Sequence, residues 1–325
     1  MKISFVIPCY NSSKNIEGVL KEIRDAMAAR PEVEYEAVLV NDCSPDNTAA
    51  VIRELAKKDA HVIAVNLAKN VGQPNAMLAG FHYVSGDYIM TSDDDGQTPV
   101  GRVFDFLEEI EKGYDVVCAR YTERNQPSFF RRLGSSLNRG MSDWLIAKPK
   151  GVYMSAFFMA RRFVVDEMIR YQQPYAYTSG LILRVTQNVG NIDVEQRLRS
   201  SGSSGYTVSK LLRLWMNGFT AFSIKPLRVA TAVGMTLSML GFLAALITVI
   251  RKLVVPGIQV GWSSLIAVNL FIGGLILFFM GLIGEYIGRI YMCINETPQY
   301  VVKEVTRLEE SKEQTKERSG EQSGE

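Results

Sequence analysis

Asp93, Asp94 and Asp95 close the apolar run Tyr88-Ile89-Met90-Thr91, and Gln97 follows two residues later. Two carboxylates one residue apart, Asp93 and Asp95, with the amide oxygen of Gln97 close behind, make an all-oxygen donor set that suits Mg²⁺ or Mn²⁺. Such an ion keeps positions open for further oxygens, and the diphosphate of a nucleotide would fill them. The run before the aspartates reads as a buried strand, which puts the carboxylates at its C-terminal end. In an open α/β sheet, ligands bind at that end. An isolated Asp-x-Asp is more often a solvated acidic turn, so its surroundings must decide.

The surroundings repeat the pattern. Ile3 to Ile7 reads as a strand running into Pro8-Cys9-Tyr10-Asn11, and Tyr35 to Val40 as a strand running into Asn41-Asp42-Cys43-Ser44-Pro45-Asp46. Val62 to Leu67 leads into Lys69-Asn70-Val71-Gly72-Gln73. Each cluster alone is ordinary turn chemistry; four at the same edge of one sheet argue for a shared site. Between the strands, Ile16 to Ala29 has helical spacing, with Ile16, Val19, Leu20, Ile23 and Met27 on one face. Further helices are expected over Asp46 to Lys58, capped by Asp46, over Gln73 to Tyr83, and over Val103 to Lys112, which leads into a strand at Asp115 to Ala119. Strand and helix in alternation imply a mostly parallel, Rossmann-like α/β sheet covered on both faces. No Walker-type glycine loop is present, so phosphate binding would rest on a metal and basic side chains.

The chain has 325 residues, enough for one large domain and an appendage, and 36 Lys and Arg against 34 Asp and Glu leave a net charge of +2. That balance implies no nucleic-acid partner. The four cysteines, Cys9, Cys43, Cys118 and Cys293, have no metal-ligand spacing and read as reduced packing residues of a cytosolic domain. The N-terminus enters a strand directly, so no signal peptide is expected. The last third differs in kind. Val229 to Ile250 and Leu253 to Gly284 carry no charge, and each supplies the roughly 20 apolar residues that cross a bilayer. The turn at Arg251-Lys252 and Val255-Pro256-Gly257 makes them a hairpin with both ends on one side. Lys225, Arg228, Arg289, Lys303 and Arg307 outweigh Arg251 and Lys252, which places the large domain in the cytoplasm. Val208 to Phe222 mixes Lys210 and Arg213 with Leu211, Leu212, Leu214, Trp215, Phe219 and Phe222, as an interfacial helix does. The expected organisation is a catalytic domain over 1–207, an interfacial helix over 208–225, two membrane helices within 226–292 (about 229–250 and 262–284), and a tail over 293–325 with a disordered end.

The order Pro8-x-Tyr10-Asn11, Asn41-Asp42-x-Ser44-x-Asp46, Asn70-x-Gly72-Gln73 and Asp93-x-Asp95-x-Gln97 resembles glycosyltransferase family 2, with its GT-A fold. Gly281-Leu282-Ile283-Gly284-Glu285-Tyr286-Ile287-Gly288-Arg289-Ile290-Tyr291, and Pro226-Leu227-Arg228 before the first span, resemble its polyprenyl-phosphate branch. That branch includes bactoprenol glucosyltransferases, dolichol-phosphate mannose synthases and undecaprenyl-phosphate 4-deoxy-4-formamido-L-arabinose transferases. The likeness extends to about Val302.

The resemblance implies inverting transfer of a sugar from a nucleotide sugar, UDP-linked, to undecaprenyl phosphate or a similar lipid, at the cytoplasmic face of the bacterial inner membrane. It implies Mg²⁺ or Mn²⁺ on Asp93, Asp95 and Gln97, and a nucleotide site from Pro8, Tyr10, Asn11, Asp42, Asn70, Gly72, Gln73 and Asp94, with Asp42 on the base. Arg120 and Arg199 would meet phosphate, and a homotetramer is implied. Arg131-Arg132 reads equally as a site element or as a basic patch facing lipid headgroups. A phosphate monoester acceptor has a second pKa of about 6, so no strong general base is needed. The chain departs from the pattern at Ser12, where many relatives have Glu; at Gly205, where they have Lys; and at Val152, where they often have Asp. Two other readings are a different lipid acceptor, whose hydroxyl would need a general base, and a non-catalytic nucleotide-sugar-binding membrane protein. An intact Asp93-x-Asp95-x-Gln97 speaks against the latter.

Overall fold

The computed structural model describes residues 1–122, 148–149, 151–173, 176–195, 225–254, 261–295 and 298–308. Arg131-Arg132, Arg199, Gly205, the stretch 208–222 and the tail beyond 308 lie outside the described residues.

The Val, Ile and Ala runs of the first unit form one eight-stranded sheet: β1 Lys2–Cys9, β2 Glu34–Asn41, β3 Val62–Leu67, β4 Tyr88–Thr91, β5 Val116–Thr122, β6 Phe158–Arg161, β7 Val189–Glu195 and β8 Val302–Thr306. Their spatial order is β7-β5-β6-β4-β1-β2-β3-β8. The central strands β3, β2, β1 and β4 are parallel, and only β6 and β8 run against the rest. The sheet is therefore mostly parallel, as the alternating pattern implies.

Helices α1 Ile16–Met27, α2 Thr48–Lys58, α3 Gln73–Phe81, α4 Val103–Glu111, α5 Arg162–Met168 and α6 Thr178–Val185 connect the strands. Helix α1 buries Ile16, Val19, Leu20, Ile23 and Met27, the face its spacing predicts. These residues join Ile3, Phe5 and Ile7 of β1, Leu39 of β2, Ile52 of α2 and Phe106 of α4 in one core. Burying such a side chain contributes about 1.5–3 kcal/mol. Helix α3 covers the opposite face. A Cβ on Gly80 would stand 2.6 Å from Val6 and 2.8 Å from Val40, so only glycine lets α3 lie this close to β1 and β2.

Three details differ from expectation. Pro8 does not end β1: the strand runs on to Cys9 paired with β2 alone, because the register with β4 stops at Val6. Proline lacks a donor and is tolerated where one ladder is missing. Helix α2 begins at Thr48, and Asp46, just outside it, accepts the Thr48 N–H at 3.1 Å. The edge strands β7 and β8 are not foreseen, since both interleave polar residues with their apolar ones. Glu304 of β8 is gripped by Arg53 of α2 at 3.0 and 2.7 Å.

A second unit, Val208–Glu296, contains two long helices, α7 Lys225–Val254 and α8 Trp262–Ile294. Helix α8 runs past Glu285 without a break, and its 33 residues would extend about 50 Å, more than the ~30 Å of a bilayer core. Phe271–Ile294 is, among the described residues, the stretch long and apolar enough to cross a membrane, and none of it is buried. Helix α7 adds a shorter apolar run, Ala230–Gly241. Leu240, Ile247, Phe271, Leu277 and Phe278 stand exposed, as lipid-facing side chains do. The two helices make the hairpin of the fold class.

Candidate active site

The loops after β1, β2, β3 and β4 meet at the carboxyl edge of the parallel strands, because parallel register brings those ends level. Their mutual bonds account for most of the polar residues in the motifs. Four successive N–H groups after β1 are each taken by a side chain from the acidic turn, the loop after β2 or the start of α2. Tyr10 N–H reaches Asp94 Oδ2 at 2.9 Å, Asn11 N–H reaches Ser44 Oγ at 3.2 Å, Ser12 N–H reaches Thr48 Oγ1 at 2.9 Å, and Ser13 N–H reaches Asp46 Oδ2 at 3.3 Å. Asn11 adopts φ of 59°, a left-handed conformation that asparagine tolerates. The alternation Ser44, Asp46, Thr48 is thus a comb of acceptors.

Asp42 follows β2 directly and is 3% exposed. Its carboxylate accepts the N–H of Val71 at 2.7 Å and of Gly72 at 2.8 Å, while its own carbonyl takes Asn70 Nδ2 at 3.1 Å. Burial pushes its pKa up, and the two amides pull it part of the way back. Gly72, at φ +83°, supplies the turn that starts α3. Asn41 extends the scaffold by donating to Asn66 at 3.0 Å and accepting Ser44 N–H at 3.1 Å.

The acidic turn receives the first residue of α3. Gln73 Nε2 donates to Asp93 Oδ1 at 2.7 Å, and Thr98 Oγ1 to Asp93 Oδ2 at 3.3 Å. Asp94 turns back toward β1 and accepts the Ser12 hydroxyl as well as Tyr10 N–H. Asp95 Oδ1 accepts Gln97 N–H at 3.0 Å. The pKa of Asp93 is raised by burial and then by the charges of Asp95 and Asp94; that of Asp94 is raised by burial. Among the described residues, the donors that reach Asp93 and Asp94 are all neutral. Beside them Tyr121 of β5 is pushed up to about 12 by burial and by Asp93. Buried Cys9 is raised by burial and by Asp94. Crowded carboxylates with neutral donors call for a cation.

The structure thus brings together Pro8, Tyr10, Asn11, Asp42, Asn70, Gly72, Gln73, Asp93, Asp94, Asp95 and Gln97. Arg120 is engaged elsewhere: it pairs with Asp193 of β7, at 2.5 and 2.9 Å. Ser12, named in the sequence as a departure from the family pattern, joins the site, as do Thr48, Thr98 and Tyr121, which the sequence reading does not name. Ser12 and Thr48 were legible as side chains flanking a motif; Thr98 and Tyr121 carried no local signal.

The described residues hold no group of three or more His, Cys, Asp or Glu placed to bind a metal. A Mg²⁺ or Mn²⁺ site does not require one, because such an ion is commonly held by one or two carboxylates and completed by substrate phosphates. Asp93, Asp95 and the Gln97 amide oxygen fit that donor set.

Residues 4–169 match the model of glycosyl transferase family 2, and residues 225–290 match that of the GtrB C-terminal hairpin. The chain is 33% identical over 316 residues, 96% of each chain, to the uncharacterized glycosyltransferase YkcC of Bacillus subtilis (strain 168). It is also 33% identical over 307 residues, 94% of each chain, to the undecaprenyl-phosphate 4-deoxy-4-formamido-L-arabinose transferase of Proteus mirabilis (strain HI4320). Among solved structures it is similar to glucosyl-3-phosphoglycerate synthase from Mycobacterium tuberculosis in complex with Mn²⁺, UDP-glucose and phosphoglyceric acid, at 16% identity and a TM-score of 0.48, covering 66% of this chain and 76% of that one.

Proposed function

The chain belongs to glycosyltransferase family 2, with a GT-A catalytic domain and a C-terminal hairpin, and from that premise we propose that it transfers a sugar from a UDP-sugar to undecaprenyl phosphate or a similar polyprenyl phosphate. The transfer inverts the anomeric carbon and depends on Mg²⁺ or Mn²⁺. The relative from Proteus mirabilis, named for undecaprenyl phosphate and similar over 94% of this chain, supports the acceptor. The excess of Lys and Arg outside the hairpin over Arg251 and Lys252 at its turn supports a catalytic domain at the cytoplasmic face of the bacterial inner membrane. Assembly as a homotetramer belongs to the same reading.

The observation that carries the reading is the acidic turn, where Asp93 and Asp95 stand at the carboxyl edge of the sheet and, among the described residues, Asp93 is held by the neutral donors Gln73 and Thr98. Asp93, Asp95 and Gln97 would hold the divalent ion, which when bound supplies positive charge against the donor diphosphate. Gln73 and Thr98 fix the Asp93 carboxylate. Asp42 holds the loop Asn70-Val71-Gly72, and Asn11 is pinned to Ser44, so the nucleotide meets a preformed wall. Tyr10, half exposed, lines that wall with Pro8. The acceptor phosphate is largely ionised at neutral pH and attacks opposite the leaving diphosphate. Positioning and charge carry the step. Arg120 and Arg199 are the candidates to meet phosphate, and Arg120 would exchange Asp193 for it.

The test is donor binding by calorimetry, with Mn²⁺ or EDTA, on the full chain in detergent. Asp95→Ala should lose metal-dependent UDP-sugar binding and at least about 100-fold in transfer, while staying folded and membrane-bound. Near-normal activity in that variant would overturn the metal assignment.

A further inference from the structure

Asp94 stands between two expected metal ligands yet faces away from them. A single oxygen, Oδ2, accepts the Tyr10 N–H at 2.9 Å and the Ser12 hydroxyl. Ser12 is 1% exposed, and its own N–H is held by Thr48, so its side chain has little latitude. We propose that Ser12 and Asp94 are a matched pair of positioning residues that lock the loop after β1 onto the acidic turn and thereby set donor affinity. The inference rests on the reading of this edge as the donor site.

The charge arithmetic supports the pairing. A Glu at position 12 would set a second carboxylate against Asp94 Oδ2, in place of the hydroxyl that donates to it. With Ser12, the loop instead offers a hydroxyl donor, and the negative charge comes from the turn. The lock has a clear consequence for the site. Tyr10 is half exposed, and its backbone is tied to the same turn that carries Asp93 and Asp95. The Tyr10 backbone therefore keeps a set distance from the acidic turn.

Four variants of the full chain test the pair, each measured for UDP-sugar affinity with Mn²⁺, kcat at saturating donor and thermal unfolding. Asp94→Ala should weaken donor binding about 10- to 100-fold, the loss of a charge-assisted hydrogen bond, with kcat changed less. Asp94→Asn keeps one acceptor oxygen and should recover part of the loss. Ser12→Glu should be at least as damaging as Asp94→Ala. Ser12→Glu combined with Asp94→Ala should bind donor about tenfold or more tighter than Ser12→Glu alone, because the like-charge contact is gone. Losses that simply add in the double variant, or wild-type affinity in Asp94→Ala, would overturn the pairing. A wild-type protein that binds no nucleotide sugar sinks the functional reading and the inference together. Wild-type binding without rescue sinks the inference alone.

Discussion

Replacing Asp42 by Asn changes one atom in a buried side chain and separates two roles for it. Its carboxylate holds the amides of Val71 and Gly72 at 2.7 and 2.8 Å, bonds to a charged acceptor worth about 1.5–3 kcal/mol each. Asparagine keeps one oxygen for one amide and turns an NH₂ group toward the other. One such bond is lost and a buried N–H is left unpaired. Against this, the carboxylate is itself unfavourably buried, as its raised pKa indicates, and the neutral amide escapes that cost. The net effect is about 2 kcal/mol, or roughly thirtyfold in the equilibrium between ordered and open loop. That loop ends in Gln73, which holds Asp93. Titration calorimetry with Mn²⁺ should therefore show Asp42→Asn binding UDP, GDP and their sugars about thirtyfold more weakly, all by a similar factor. A loss confined to uridine nucleotides would mean that Asp42 reads the base directly and would refute the loop argument.

Titration of the acidic turn gives a second prediction. Burial, then Asp95 and Asp94, raise the pKa of Asp93 in the fold, so the folded state favours its neutral form. That contribution is full below the unfolded value of about 3.9 and is lost as pH rises through the raised folded value. In EDTA at pH 7, Asp93→Asn should unfold at a higher temperature than wild type, with the gain shrinking toward pH 4; a wild type more stable at pH 7 contradicts this. At Gly80, a methyl would stand 2.6 Å from Val6 and 2.8 Å from Val40. Gly80→Ala should cost about 1–3 kcal/mol, read as a lowered unfolding temperature, and an unchanged one would mean that α3 is free to shift.

Much of this arrangement was legible in the residues. The face of α1 follows from the spacing of Ile16, Val19, Leu20, Ile23 and Met27, and the edge that gathers the loops follows from parallel strands. The acidic turn is legible because three other polar clusters share its sheet edge; an isolated Asp-x-Asp is more often a solvated turn. Partnerships were harder to read. Asp42 is engaged by Val71 and Gly72, 29 and 30 residues onward, and no local pattern encodes such a pair. Arg120 faces Asp193 because β5 and β7 lie side by side, and β7 was not foreseen. Asp46 caps α2 from one position further out than expected, since Thr48 provides its second donor. Ser12 donates to Asp94, 82 residues onward, a pairing that no local pattern encodes.

The account stands most directly on one reaction. Full-length protein in detergent would be given a panel of radiolabelled nucleotide sugars and undecaprenyl phosphate, with diacylglycerol as a competing acceptor, in Mg²⁺ or Mn²⁺ and in EDTA. The predicted result is one labelled, acid-labile lipid phosphate made from one UDP-sugar, present with metal and absent with EDTA. A labelled diacylglycerol, or no product from a donor that binds, would contradict it.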